Sequence, residues 1–296
     1  SDESLPEIFI KVDELKGNKP VDFIIGGPPC QAYSLVGRAR DPESMKKDPR
    51  NFLYKYYLQF LKRYEPKMFV FENVPGILSA KNGIHLENIK KGIDKAGYEI
   101  ELKKLKASDY GVLQNRERVI IVGWKKELNL KYPELKKEEN PYKILSDLFS
   151  DLPERQQGEG SLTGIVHYEA PATKYLEQSK IRNDLDFTTQ HIARPHNPID
   201  LEIYRRAIIL WLEKKVRLNH ANLPPELQKH NNKQSFLNRF QVVNHDGYSH
   251  TVVAHIAMDG HYYIYPSLKQ IRSITIREAA RIQSFPDDYY FEGSRS

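Results

Sequence analysis

The sequence predicts an α/β protein: a mostly parallel sheet, followed by a second, smaller and irregular domain. Three observations carry this expectation. Residues 21–25 (VDFII) and 67–71 (KMFVF) are short apolar runs, each stopped by glycine and proline, as buried strands are. Between them, residues 51–64 (NFLYKYYLQFLKRY) place apolar side chains at helical spacing, so the three pieces form a strand–helix–strand unit with a right-handed crossover. After Lys125 the regular pattern weakens and charge, Asn, Gln, Pro and His increase. The boundaries expected from these shifts are 1–130 for the α/β domain, 131–285 for the irregular domain and 286–296 for the start of a return to the first.

The elements follow in order. Residues 1–20 read as a short helix and a linker, leading into the strand at 21–25. The turn Gly26-Gly27-Pro28-Pro29 follows, then a polar, basic stretch from 31 to 50 with no apolar periodicity. A loop of that length beside a site usually serves it as a lid. Pro66 ends the helix of 51–64, and the strand 67–71 runs into Glu72-Asn73-Val74-Pro75-Gly76. Residues 84–96 form an amphipathic helix closed near Gly97, and 98–105 and 119–124 are strands on either side of a turn. In the second domain, 201–216 is a helix, 249–264 a hairpin turning at Asp259-Gly260, and 273–285 a helix capped by Ser273 or Thr275.

Composition narrows the function. The chain has 296 residues and 40% hydrophobic content, enough for a sizeable core. A single cysteine, Cys30, excludes an intramolecular disulfide and fits a reducing compartment. No apolar run approaches the roughly 20 residues that span a bilayer, and the first residues lack signal-peptide character, so a cytoplasmic protein is expected. A net charge of +6 permits nucleic-acid binding without establishing it. The histidines at 245, 250, 255 and 261 lack the cysteines and helical pairing of a zinc site, and no metal is expected.

Two residues stand out chemically. Cys30 follows the first strand and Glu72 the second, which puts a thiol and a carboxylate at the same edge of neighbouring parallel strands, where α/β sheets bind ligands. Arg116 and Arg118 share one face of an extended segment, and two guanidinium forks there suit a phosphate, a carboxylate or a polar base edge.

Four motifs then carry a resemblance: Gly27-Pro28-Pro29-Cys30-Gln31 with Ser34 behind it; Phe71-Glu72-Asn73-Val74; Gln114-Asn115-Arg116-Glu117-Arg118-Val119; and residues 272–287, RSITIREAARIQSFPD. In this order and spacing they resemble the DNA (cytosine-5) methyltransferases over about 21–124 and 249–291. The resemblance implies a Rossmann-like methyltransferase sheet with a smaller target-recognition domain. It also implies transfer of a methyl group from S-adenosylmethionine to C5 of cytosine in duplex DNA, in prokaryotic restriction–modification or a solitary relative. Cys30 would add to C6 of a flipped-out base, Glu72 would hold N3, Asn73 would orient the loop, and Arg116 and Arg118 would hold the base and the active-site carboxylate or backbone. Gly27, Pro29 and Leu53 match positions lining the methionine side of the cofactor pocket. Gln31, Ser34, Arg38, Arg40 and Arg272 match DNA-contacting positions.

The sequence departs from the family at two places: the Phe-x-Gly-x-Gly-Gly turn that cradles the cofactor and the last Gly-Asn-x-Val-x-Pro helix are not found. The expectation is a chain completed by a second polypeptide, or a fragment, that alone binds S-adenosylmethionine poorly and leaves sheet edge and apolar surface exposed. The rival readings are a non-catalytic DNA-binding or regulatory subunit of the same fold and a tRNA cytosine-5 methyltransferase.

Overall fold

The computed structural model describes residues 4–28, 52–228 and 237–293. Its regular elements begin with α1 (Leu5–Lys16), β1 (Phe23–Gly26), α2 (Tyr54–Tyr64), β2 (Met68–Asn73), α3 (Ile84–Lys95), β3 (Tyr98–Lys106), β4 (Gln114–Asn115) and β5 (Glu117–Lys125). They continue with β6 (Ile165–His167), α4 (Lys174–Gln178), β7 (Phe187–Thr189), α5 (Pro198–Lys214), β8 (Ser249–His250) and α6 (Ile276–Ile282), with short 3-10 turns and a π-helical turn at Ile144–Leu148 between. The chain divides into two compact units, Ser1–Lys106 with Glu117–Lys136, and Ala107–Arg116 with Lys137–Ser296. Sequence placed a boundary at 130–131; compactness places it at 136–137 and sends Ala107–Arg116 to the later unit.

The first unit is built on a four-stranded sheet in the order β1-β2-β5-β3. β1 and β2 are parallel, with Gly26 opposite Phe71, and α2 makes the crossover that the sequence predicted. The expectation of a mostly parallel sheet is corrected here. Both other pairings are antiparallel, β2 with β5 and β3 with β5, because the connection from β3 to β5 carries no crossover helix and so returns the chain antiparallel. β1 is an edge strand among the described residues, and Phe23 and Ile25 on it are exposed. The core between sheet and helices contains Tyr57 and Leu61 from α2, Ile89 and Ile93 from α3, and Phe69, Phe71, Val119 and Ile121 from the strands. Glu72 and Asn73 belong to β2 itself, so the strand runs further than its apolar stretch.

The second unit has little regular structure. Its longest helix, α5, starts at Pro198 with Asn197 as a side-chain cap; the sequence placed that start three residues later, missing the Asn-Pro signal. No hairpin forms over 249–264. Residues 254–257 turn into a 3-10 helix, and the chain around Ile264 sits between Val242 and Ser273 instead. Ile264 N donates to Gln241 O, and Ile274 N donates to Tyr263 O. α6 begins at Ile276 behind a complete capping box. The Thr275 hydroxyl accepts from Glu278 N, and Glu278 Oε2 accepts from Thr275 N at 2.7 Å.

Candidate active site

The end of β1 meets the end of β2. Gly27 is exposed, and a Cβ there would stand 2.9 Å from Glu72 Oε2, so only a residue without a side chain lets the carboxylate lie against the turn. Asn73 locks this junction from within. It is buried; its Nδ2 donates to Pro28 O at 3.3 Å, and its Oδ1 accepts from Val74 N at 2.9 Å. Asn73 therefore bonds directly to the backbone carbonyl of Pro28, two residues before Cys30 in the sequence.

β5 supplies the counter-charge. Arg118 Nε lies 2.5 Å from Glu72 Oε1, with Arg118 Nη1 donating to Glu117 O. The pairing of Glu72 with Ile120 across the β2–β5 ladder brings the neighbouring Arg118 within reach of the carboxylate. The Arg118 side chain is 20% exposed and that of Glu72 is 38% exposed, which leaves a fixed carboxylate still open to a reacting partner. A guanidinium grips one carboxyl oxygen, and the other faces the bare Gly27 position.

Arg116 belongs to the second unit, where its Nη1 donates to Val252 O at 3.4 Å. Gln114 in the same motif, not singled out from sequence, is buried; its Nε2 donates to Ile282 O and its Oε1 accepts from Val252 N. One glutamine therefore ties the end of α6 to Val252, just past β8. Its signal in the sequence is its place at the head of the Gln114-Asn115-Arg116-Glu117-Arg118-Val119 motif. Leu53 sits half-buried just before α2. Cys30, Pro29, Gln31, Ser34, Arg38 and Arg40 lie outside the described residues.

The expectation of DNA contact at Arg272 is corrected. Its side chain is fully buried and forms a fork on Glu278, both bonds 2.8 Å, with further bonds to Gln270 and to Arg155 O. A phosphate would have to displace all of these. Burial alone would raise the Glu278 carboxyl, but the Arg272 guanidinium overrides it and holds the pKa below the usual carboxylate range. Arg272 is thus the anchor of the α6 cap.

Among the described residues, no group of three or more His, Cys, Asp or Glu side chains is placed to hold a metal ion. No helix among them is long and apolar enough to cross a membrane.

This geometry can be set beside known proteins. The chain is 43% identical over 292 residues to the Type II methyltransferase M.Bpa9945I of Bacillus paralicheniformis, and 35% identical over 289 residues to the Type II methyltransferase M.DdeI of Desulfomicrobium norvegicum. Each match covers 93% of this chain and 65% of the relative, so the chain spans about two thirds of their length. Its fold superposes with a TM-score of 0.62 on an Escherichia coli protein described as a prophage-encoded DNA modification methyltransferase. Their sequences are 25% identical, and the match covers 94% of this chain and 73% of that one. This supports the Rossmann-like α/β fold expected from sequence. The family model for C-5 cytosine-specific DNA methylase matches residues 5–296, and the chain belongs to that family.

Proposed function

We propose that this chain carries the catalytic carboxylate and nucleophile of a DNA (cytosine-5) methyltransferase that modifies cytosine in duplex DNA, as part of a Type II restriction–modification system. The observation that carries the reading is the Glu72–Arg118 pair, fixed at the end of β2 beside the side-chain-free Gly27 and still open to solvent.

In this reading the Cys30 thiolate adds to C6 of a cytosine turned out of the duplex, which makes C5 nucleophilic. Glu72, steadied by Arg118, supplies a proton or hydrogen bond at N3, so the negative charge that addition creates does not accumulate on the ring. A base then takes the C5 proton, and expulsion of the thiolate restores the aromatic ring. The methyl donor would meet the chain at the carboxyl end of β1. The exposed, side-chain-free Gly27 offers backbone to a close-lying group, and half-buried Leu53 offers apolar contact, so these two, with Pro29, would hold S-adenosylmethionine. When bound, that group supplies an electrophilic methyl on sulfur. Gln31, Ser34, Arg38 and Arg40 would meet DNA, and Arg116, in the second unit, would hold the base or the backbone near it. The irregular domain expected at 131–285, most of which belongs to the second unit, would read the target sequence.

The test is bisulfite sequencing of DNA from a host lacking cytosine methylation that expresses the whole protein, beside the same experiment with Cys30→Ala. Protected cytosines in one sequence context, lost in Cys30→Ala, are expected. Unprotected DNA with labelled methyl transfer to tRNA would move the reading to RNA. No transfer to either from folded protein would favour the non-catalytic DNA-binding reading.

A further inference from the structure

Gly26 and Gly27 lack side chains on opposite sides of β1. On the site side, Gly27 lies against the Glu72 carboxylate. On the core side, a Cβ on Gly26 would stand 2.6 Å from Tyr57 Cε2 and 2.9 Å from Cδ2, so an edge of the Tyr57 ring abuts bare backbone. That ring also meets Phe71, the residue paired with Gly26, at 5.1 Å between centroids and nearly perpendicular. The Tyr57 hydroxyl donates to Val70 O at 3.0 Å, and Ile24 O is 3.4 Å away. One phenol from α2 therefore touches both strands that carry the site, one residue below Gly27 on β1 and two below Glu72 on β2.

We propose that Tyr57 is a positioning residue for this site: through Gly26 and the carbonyls of Ile24 and Val70 it sets the height and spacing of the ends of β1 and β2, and so the seat of the Glu72 carboxylate against Gly27. The proposal rests on the functional reading of Glu72 given above. Its logic is geometric. Successive residues of a strand face opposite sides, so lifting Gly26 away from the ring drives the Gly27 backbone towards Glu72 Oε2, which would stand 2.9 Å from a Cβ at that position. Asn73 transmits the same displacement to the Pro28 carbonyl. Tyr57 is well suited to hold this point because it is rigid, buried and neutral; burial pushes its phenol well above the ordinary tyrosine range, so it remains a donor at any pH at which the protein works. A phenylalanine would fill the same space and leave the carbonyls without that donor.

The experiment compares Tyr57→Phe with Ile93→Val, a loss of one methylene in α3 of the same core that touches neither glycine. In the whole protein, at a temperature well below both melting points, kcat for methyl transfer and the Kd for DNA are measured, together with hydrogen exchange over 22–28 and 68–74. Expected for Tyr57→Phe is a drop in kcat of about tenfold, as misplacement of a catalytic group produces, with Kd for DNA within about twofold and faster exchange confined to those two segments. Ile93→Val should keep its kcat. Unchanged kcat in Tyr57→Phe, or a fall in proportion to the melting point in both variants, overturns the proposal. If the wild-type protein transfers no methyl group, it is the functional reading that fails. The exchange data then decide this proposal alone: faster exchange confined to the two strand ends supports it, and unchanged or chain-wide exchange overturns it.

Discussion

Gly27 and Glu72 occupy one space at the ends of neighbouring parallel strands: the position of a Gly27 Cβ is 2.9 Å from Glu72 Oε2. Gly27→Ala therefore has to push the carboxylate off Arg118 or bend the turn before Cys30. Because Gly27 is exposed, its replacement should change stability by no more than about 0.5 kcal/mol. Displacing a reacting group by roughly 1 Å costs on the order of 100-fold in rate, and a kcat loss of that size with an unchanged melting curve is expected. Wild-type kcat in Gly27→Ala would show that the carboxylate can turn aside without leaving its working position.

Arg118 separates charge from geometry. Its Nε contact with Glu72 Oε1 at 2.5 Å depends on a planar guanidinium that lysine lacks. Arg118→Ala should lower kcat by about 100- to 1,000-fold, the usual loss on removing one preorganised donor. Arg118→Lys should recover part of that loss, because it restores a charge without the fork. Since the two residues act as a unit, Glu72→Gln combined with Arg118→Ala should be little slower than the worse single variant. Additive losses would mean that Arg118 works on the substrate independently of Glu72.

How much of this was legible in the sequence follows from what periodicity measures. The strands at Phe23 and Met68 and the helix between them announce themselves, because they bury apolar residues at regular spacing, and their connection fixes the parallel pair that brings Gly27 to Glu72. The direction of β5 was not legible from its composition; it depends on the length and course of the connection from Lys106. The resemblance likewise put Arg272 at the DNA, yet Arg272, Arg277 and Arg281 are all fully buried, although arginine is normally a surface residue. Some of their partners come from far along the chain: Arg281 meets Asp151 as well as the nearby Asp287, and Arg277 meets Thr189 O. Tyr57 reads from sequence as ordinary core; only the missing Cβ of Gly26 against its ring reveals more.

The Arg281 cluster should dominate the stability of the second unit. Arg281 lies between Asp151 and Asp287, 2.5 Å from each. Asp151 also accepts from Arg182, and Asp287 from the Tyr168 hydroxyl at 2.8 Å. Arg281→Ala leaves two buried carboxylates facing each other without their shared cation, and breaking such a pair typically costs about 3–5 kcal/mol. Tyr168→Phe removes one hydrogen bond to Asp287 and should cost about 1–2 kcal/mol. Urea unfolding of the two variants checks the order, and equal or negligible losses would mean that water reaches the cluster.

Acid should weaken the same unit through His250. Its Nε2 donates to Tyr262 O, and its ring stacks on Tyr263 at 5.0 Å between centroids. Burial disfavours the charged ring and lowers its pKa to about 4; the Arg217 charge acts in the same direction, while the Tyr262 carbonyl opposes both. The unfolded chain titrates near the ordinary histidine value of about 6.5. Between those two values the unfolded state binds a proton that the native state refuses, so stability falls as pH drops from about 6.5 to about 4 and levels off below. His196, also lowered to about 4 by burial and then by His261, adds a slope in the same window. His250→Gln keeps a donor for Tyr262 O and has nothing to titrate. Its unfolding free energy should therefore depend less on pH than that of the wild type, by roughly 1–3 kcal/mol between about pH 7 and about pH 4.5. Urea midpoints across that range decide the matter: parallel curves for the two proteins would show that His250 takes up its proton in the folded state as readily as in the unfolded one.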